Sequence, residues 1–265
     1  MRLTDSDLKF VVMTVATKRH DYDHIVGLLR GKDDLVEPML DDPRLVERLV
    51  NEPEVFARVS PYLLFAVLLR CVRRDLEGRS FVLERDARGK RIPVFEAAQA
   101  AELLGEPVLR EYLAEMLCSF VRTNTVHVWR QAGDTGHPPT RHKFCDVDMD
   151  DLIALCQLVE SRLKPRIYKR IADLALFLTG IYPDHATVTL RRPRSRAALR
   201  RSVPDYEREG RRFYTLAARE AEPPGPAPVF ERLAEKFTLA RGALNTLSDR
   251  YLKPLREQCF VQPAG

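Results

Sequence analysis

The sequence predicts a mainly α-helical protein: a multi-helix bundle with one or two small β-hairpins and a C-terminal helical segment. Three observations favour this fold class. Apolar residues recur at helical spacing through most of the 265 residues. Helix-capping signals precede many of these stretches. The stretches that alternate apolar and polar residues are few, and they flank turn sequences, as the strands of hairpins do.

The most apolar helix is predicted to begin after Ser60. This serine is a good N-cap, and Pro61 suits the first helical position. Residues 62–69 are apolar without interruption, which predicts burial on all sides. This run is far shorter than the roughly 20 residues that cross a bilayer, so we expect no membrane span. The polar stripe that follows is expected to be a solvated face: Arg70, Arg73, Arg74 and Glu77.

Short helices are predicted before this point. Thr4 and Asp7 have the spacing of a capping box, which predicts a helix over the apolar positions that follow. Glycine or proline then separates the short helices that we expect at about 21–30, 33–41, 43–51 and 53–59.

Two β-hairpins are predicted after the apolar helix, at about 80–95 and 124–146. Together they suggest a small sheet beside the bundle, and 187–190 could add a strand. Further helices are predicted from apolar periodicity and caps at 96–104, 107–121, 148–163, 166–179 and 205–221.

The composition changes after residue 190. The arginine arm (191–212) holds nine arginines and three acids, and it has too few large apolar residues to fold alone. The sequence PPGPAP at 223–228 is typical of a stiff linker. We therefore predict a helical core domain at 1–190, an arm with a short helix and a Pro-rich linker at 191–228, and a C-terminal helical segment at 229–265.

Segment 230–252 resembles a helix-turn-helix. The matching positions are one small residue and three apolar residues: Ala234, Leu239, Leu244 and Leu247. The resemblance implies that Arg241, Asn245 and Thr246 face outward and meet base edges in the major groove. Thr238 departs from the pattern, since that turn position usually holds glycine. The alternative is an ordinary helical hairpin that closes the bundle.

The arm is the strongest charge feature of a chain whose net charge is only +5. Guanidinium groups bind phosphate in a bidentate manner. The phosphate-binding candidates are Arg191, Arg192, Arg194, Arg196, Arg200 and Arg201. An arm beside a recognition helix predicts a nucleic-acid-binding protein with a regulatory or architectural role. The alternative is a non-enzymatic interaction module whose arginines pair with an acidic protein partner.

Two groups of residues are candidate metal sites. His20 and His24 are four residues apart, as ligands on one helical face would be, and they define a third hypothesis, a metal-dependent enzyme. His137, His142 and Cys145 cluster around the second hairpin. The alternative for the first group is a helix start capped by Asp21 or Asp23, and the alternative for the second is hydrogen bonding on the hairpin. No glycine-rich phosphate loop or GxSxG motif is present, so nothing in the sequence points positively to an enzyme, and we expect no cofactor.

Five cysteines at scattered spacings indicate reduced packing residues rather than disulfides. The N-terminus has no signal-peptide pattern. We therefore predict a cytoplasmic protein without a membrane partner.

Overall fold

The computed structural model describes residues 2–18, 21–56, 58–85, 91–121, 125–130, 140–183, 201–222 and 225–260. Over these residues the protein is mainly α-helical with two short β-hairpins, which confirms the predicted fold class. None of the helices in these ranges has the length and apolar character needed to cross a bilayer.

The first helices are short, as predicted: α1 (Asp5–Val15), α2 (Tyr22–Leu29), α3 (Asp33–Met39), α4 (Pro43–Asn51) and α5 (Pro53–Phe56). The capping box is confirmed, because the Thr4 hydroxyl accepts from the amide of Asp7 and the Asp7 carboxylate accepts from the amide of Thr4. Asp7 is fully buried, and its other oxygen accepts from the amide of Ser60 at 2.8 Å. One carboxylate thus joins the starts of two helices.

Helix α6 (Pro61–Glu77) begins as predicted, with the Ser60 hydroxyl accepting from the amide of Leu63 at 3.1 Å. Residues 62–69 are buried, which confirms the apolar core helix. We predicted that the polar stripe after these residues is solvated. This prediction is wrong for Arg70, the first residue of the stripe, because it is only 4% exposed. This arginine therefore needs a partner inside the protein.

That partner is Glu37 of α3, which binds two buried guanidinium groups. One of its carboxylate oxygens accepts from Arg70 and the other accepts from Arg110, which is also 4% exposed. Each arginine donates once more at 2.7 Å, Arg70 to the carbonyl of Ala66 and Arg110 to the carbonyl of Leu104. Burial, with the charge of Arg110, lowers the pKa of Arg70. An arginine nevertheless stays protonated, so both positive charges persist inside the protein.

Both predicted hairpins are confirmed. Strand β1 (Val82–Arg85) pairs with β2 (Arg91–Val94), and β3 (Thr125–Arg130) pairs antiparallel with β4 (Thr140–Cys145), from Thr125 opposite Cys145 to Arg130 opposite Thr140. The two hairpins form two separate two-stranded sheets, so our prediction of a single small sheet is wrong. Helices α7 (Ala97–Gly105) and α8 (Pro107–Ser119) lie between them in sequence. The strand predicted at 187–190 lies outside the described residues.

The remaining helices are α9 (Met149–Leu158), α10 (Lys164–Ile181), α11 (Val203–Arg219), α12 (Ala227–Glu235), α13 (Phe237–Leu247) and α14 (Lys253–Phe260). A π-helical turn over Ser248–Leu252 joins the last two. Helix α11 begins inside the predicted arm with a second capping box, formed by Ser202 and Asp205. Hydrogen bonds from Ser202 are the main reason that the pKa of Asp205 falls to about 2.

The chain divides into two compact units. The first unit consists of Met1–Glu84, Arg91–Val121 and Gly242–Gly265, and the second consists of Arg85–Lys90 and Arg122–Arg241. Helix α11 packs against both α10 and α12, and these three helices share the second unit. The domain boundaries near 190 and 228 stay a prediction.

Tyr214 and Asp173 form a buried pair in the second unit. The fully buried Tyr214 donates its hydroxyl proton to Asp173 at 2.8 Å, and Lys169 donates to the other carboxylate oxygen at 2.6 Å. One helical turn before Tyr214, Gly210 faces the ring of Phe237. A Cβ atom at residue 210 would lie 2.7 Å from Cζ of that ring, so the close approach of α11 to the start of α13 requires glycine.

Candidate nucleic-acid interface

Helix α13 carries the three residues that were expected to read bases. Arg241 and Asn245 are only 9% and 7% exposed, so the outward orientation predicted for them is wrong. Thr246 is half-buried, and its hydroxyl donates to the carbonyl of Gly242 at 3.1 Å. The physical reason is that α13 is apolar over most of its surface and is therefore buried. Its fully buried residues are Phe237, Ala240, Ala243, Leu244 and Leu247.

The junction between α12 and α13 also differs from a helix-turn-helix. Such a turn is typically three or four residues long, whereas Lys236 alone separates these two helices. Thr238, expected in the turn, lies in the first turn of α13, and none of the described non-glycine residues has a positive φ. The turn that the resemblance implied is therefore not found at Thr238.

Glu207 of α11 holds this junction together. Its carboxylate accepts from the Thr238 hydroxyl at 3.0 Å, from Arg241 at 2.7 Å and from Arg211 at 2.9 Å. Arg211 also donates to the carbonyls of the last two residues of α12. Burial raises the pKa of Glu207, but the hydrogen bond from Arg211 and the charge of Arg241 outweigh it, so the pKa is lowered. Arg241 thus has a structural role here.

We expect Glu207→Gln to lower the free energy of unfolding at pH 7 by about 1.5–3 kcal/mol, the usual range for hydrogen bonds to a charged group. A carboxylate with a lowered folded pKa stabilises the fold above its unfolded pKa, about 4.3, and this contribution is lost as the pH falls through the folded value. Urea titrations at decreasing pH should therefore show that the difference in the free energy of unfolding between Glu207→Gln and the parent protein becomes smaller below about pH 4.3. Glu231→Gln, at an exposed position of α12, is the control. A difference that stays constant with pH would contradict this role of Glu207.

Part of the arginine arm lies outside the described residues. Five of its six phosphate-binding candidates belong to this part: Arg191, Arg192, Arg194, Arg196 and Arg200. Arg201 is described, and its side chain is 13% exposed. Its guanidinium lies 2.5 Å from a carboxylate oxygen of Asp150, in the first turn of α9. Arg201 is therefore already held in an ion pair.

Exposed guanidinium groups remain on the described part of the second unit. The side chains of Arg208 and Arg212 on α11 are 67% and 66% exposed, and each lies near a carboxylate of the same helix. Arg162, just before α10, is 77% exposed. Exposed pairs of this kind contribute little to stability, so these cations can exchange their partners for phosphate.

A cleft of about 380 Å³, which we call the cationic cleft, lies between the start of α10 and the end of α11. Arg162, Arg166 and Lys169 line its α10 side, and Glu220 and Glu222 line its α11 side. Arg166 is exposed and has no hydrogen-bond or ion-pair partner among the described residues. The cleft can therefore accept an anionic group against α10.

Charge is unevenly divided between the units. The second unit holds 25 Lys and Arg against 16 Asp and Glu, a net charge of +9, and the first holds 18 against 22, a net charge of −4. This charge difference was not recognised in the sequence, because each unit is built from separate segments of the chain. The net charge of +5 is the sum over both units and therefore hides the difference.

The candidate metal ligands are not brought together where the structure describes them. His20 and His137 lie outside the described residues, His24 is exposed on α2, and His142 and Cys145 lie in β4. In the part of the chain that is described, no group of three or more His, Cys, Asp or Glu residues is placed to hold a metal ion.

Comparison with known proteins found no family model, no curated protein and no solved structure that matches the chain.

Proposed function

We propose that the protein binds nucleic acid through its second unit, in a regulatory or architectural role, by contacts with phosphates rather than with bases. The observation that carries this proposal is the net charge of +9 on the second unit, against −4 on the first. Each phosphate that a guanidinium or ammonium group neutralises releases counterions, and this release drives binding. A strongly positive unit gains from this effect even though the whole chain is only mildly basic.

Base readout by α13 is not part of the proposal. Arg241 is paired with Glu207 and Asn245 is buried, so neither side chain is available to the edge of a base. The exposed cations of α10 and α11, with the arginines of the arm, supply the phosphate contacts. Phosphate contacts carry no sequence information directly, so binding should depend little on sequence.

Fluorescence anisotropy with two labelled DNA duplexes of unrelated sequence tests this proposal. The logarithm of the binding constant should fall linearly with the logarithm of salt concentration, with a slope of about −0.9 per phosphate contacted. The double variant Arg162→Ala, Arg166→Ala should weaken both duplexes alike and make the slope shallower by about 2. Affinity that stays flat from about 50 to 200 mM salt would contradict phosphate-driven binding.

The matched control changes two cations of the first unit, Arg30→Ala with Lys32→Ala. Both residues are exposed, and Arg30 pairs with the exposed Asp5. We expect no change in affinity for either duplex. Equal weakening by the control pair would mean that binding follows the charge of the whole chain, which contradicts the assignment to the second unit.

An acidic protein partner is the second candidate, and the cationic cleft favours it. Glu220 and Glu222 line the cleft opposite its cations. A nucleic-acid strand carries a negative charge at every nucleotide, so these two carboxylates repel it. A peptide, in contrast, can direct its acidic side chains to the α10 side alone. Binding of polyglutamate at a salt concentration where neither duplex binds would favour this candidate.

A cytoplasmic location is part of the proposal. The cysteines that the structure describes are free thiols, which suits a reducing compartment: Cys71, Cys118, Cys145 and Cys156. Burial raises the pKa of Cys118 and of Cys156 to about 11, so both thiols stay protonated and unreactive near neutral pH.

A further inference from the structure

Helix α1 carries apolar side chains on two faces. One face packs into the first unit through Leu8, Val11 and Val12, which are at most 6% exposed. Phe10 and Met13 lie on the other face, and Met13 is 45% exposed. A surface helix normally carries polar residues on its outer face, so this second apolar stripe needs an explanation.

The stripe lines a groove of about 210 Å³, which we call the α1–α4 groove. Phe10, Met13 and Val55 are its apolar lining, and its polar lining consists of Ser6, Lys9, Arg48 and Arg58. This volume is below the roughly 300–1,000 Å³ of a typical small-molecule pocket. It is better suited to one or two large side chains of a protein ligand.

The charge in the groove has one sign. Among the described residues, three cations and no carboxylate line it, although the first unit has a net charge of −4. Arg48 is held in position, because it donates to Glu52 at 3.1 Å and to the hydroxyl of Thr14 at 2.8 Å. Its guanidinium lies 4.9 Å from the centre of the Phe10 ring. A cation and an apolar surface are thus presented side by side.

The other two cations are more loosely held. Lys9 pairs with Asp23, whose side chain is 85% exposed, and Arg58, itself 77% exposed, lies 3.7 Å from Glu54. Such exposed pairs are weak, so the carboxylates of a ligand can replace these partners.

We propose that the α1–α4 groove binds an acidic segment of a partner protein, one that carries one or two large apolar side chains among its carboxylates. The apolar side chains cover Phe10 and Met13, and the carboxylates meet Lys9, Arg48 and Arg58. Nucleic acid would leave the apolar lining unused, and an uncharged apolar ligand would leave the cations unused. This proposal concerns the first unit and a protein ligand, so it is independent of the nucleic-acid proposal.

The test uses a fluorescein-labelled peptide of glutamates with a central Leu-Phe pair, titrated with the full chain and followed by anisotropy. We expect saturable binding. Met13→Glu should weaken it at least about tenfold, because a carboxylate in the groove repels the peptide and removes apolar contact. Arg58→Glu should weaken it several-fold. The matched control is Leu28→Glu, at a 51% exposed position of α2, which should leave affinity unchanged.

Four results would overturn the proposal. The first is an absence of peptide binding, and the second is an equal effect of Met13→Glu and Leu28→Glu on peptide affinity. The third is equal binding of a peptide in which two serines replace the Leu-Phe pair. The fourth is that the double variant Arg162→Ala, Arg166→Ala loses peptide binding while Met13→Glu keeps it, which would assign the peptide to the second unit. Because Met13, Leu28 and Arg58 are exposed, their variants should retain the helical circular dichroism of the parent protein.

Discussion

Glu37→Ala is expected to lower the free energy of unfolding by about 3–5 kcal/mol, the range for breaking a buried ion pair from one side. Glu37 is the carboxylate that binds both Arg70 and Arg110, and each arginine is only 4% exposed. Its removal leaves two positive charges inside the first unit without their shared partner. Neither arginine can escape the penalty by losing its proton, because the guanidinium stays charged in proteins.

Urea unfolding of the full chain measures this effect. Glu47→Ala is the matched control, because Glu47 is exposed on the neighbouring helix α4 and should change stability by no more than about 0.5 kcal/mol. Replacing Glu37, Arg70 and Arg110 together by leucine should recover most of the loss, since apolar residues often replace a buried ion cluster at little cost. A Glu37→Ala variant as stable as Glu47→Ala would contradict the role of this cluster.

Helix starts could be predicted from the sequence because their signals are local. The capping boxes at Thr4 and Ser202 each use atoms within three residues, and Ser60 with Pro61 sets the start of α6 in the same way. Of these, Thr4 and Ser60 were recognised in the sequence. The hairpins were predictable for a similar reason, since turn residues and alternating strands lie next to each other in the chain.

The buried arginines could not be predicted, because their partners are distant in sequence. Arg70 is separated from Glu37 by 33 residues and Arg241 from Glu207 by 34. Arg70 was expected on the surface because it begins a polar stripe, and Arg241 was expected there because the helix-turn-helix resemblance implied it. The expected base-reading role of Arg241 depended on this exposure.

The candidate sites were also hard to predict, because they combine residues that are distant in sequence. An excess of arginine after residue 190 was visible in the sequence, but the charge difference between the two units was not. The apolar stripe of α1 was also detectable, since Phe10 and Met13 lie three residues apart on one helical face. Arg48 and Arg58, which complete the α1–α4 groove, come from later segments, so only the fold brings the cations to the stripe.

Gly210→Ala is expected to destabilise the protein by about 1–3 kcal/mol, the range for overpacking a core. Alanine is the better helix former by about 1 kcal/mol, so helix propensity alone predicts the opposite sign. The new Cβ atom would lie 2.7 Å from Cζ of Phe237 and 3.0 Å from Cβ of Ala175. Phe237 is fully buried, so its ring cannot move aside into solvent.

Gly27→Ala is the matched control. Gly27 lies inside α2, and apart from its chain neighbours and the adjacent backbone of the helix, no heavy atom would lie within 4 Å of a Cβ atom there. We expect this change to raise the free energy of unfolding by up to about 1 kcal/mol through helix propensity. The same substitution should therefore have opposite signs at the two glycines when both variants are unfolded in urea.

A second substitution identifies the ring of Phe237 as the cause. Phe237→Leu alone creates a cavity and destabilises the core, but leucine lacks the ring atoms that the new Cβ atom meets. The double variant Gly210→Ala, Phe237→Leu should therefore lose less free energy of unfolding than the two single variants lose together, because the two residues are in contact. If the two losses simply add, or if Gly210→Ala is as stable as Gly27→Ala, α11 cannot approach α13 as closely as the contact at Gly210 requires.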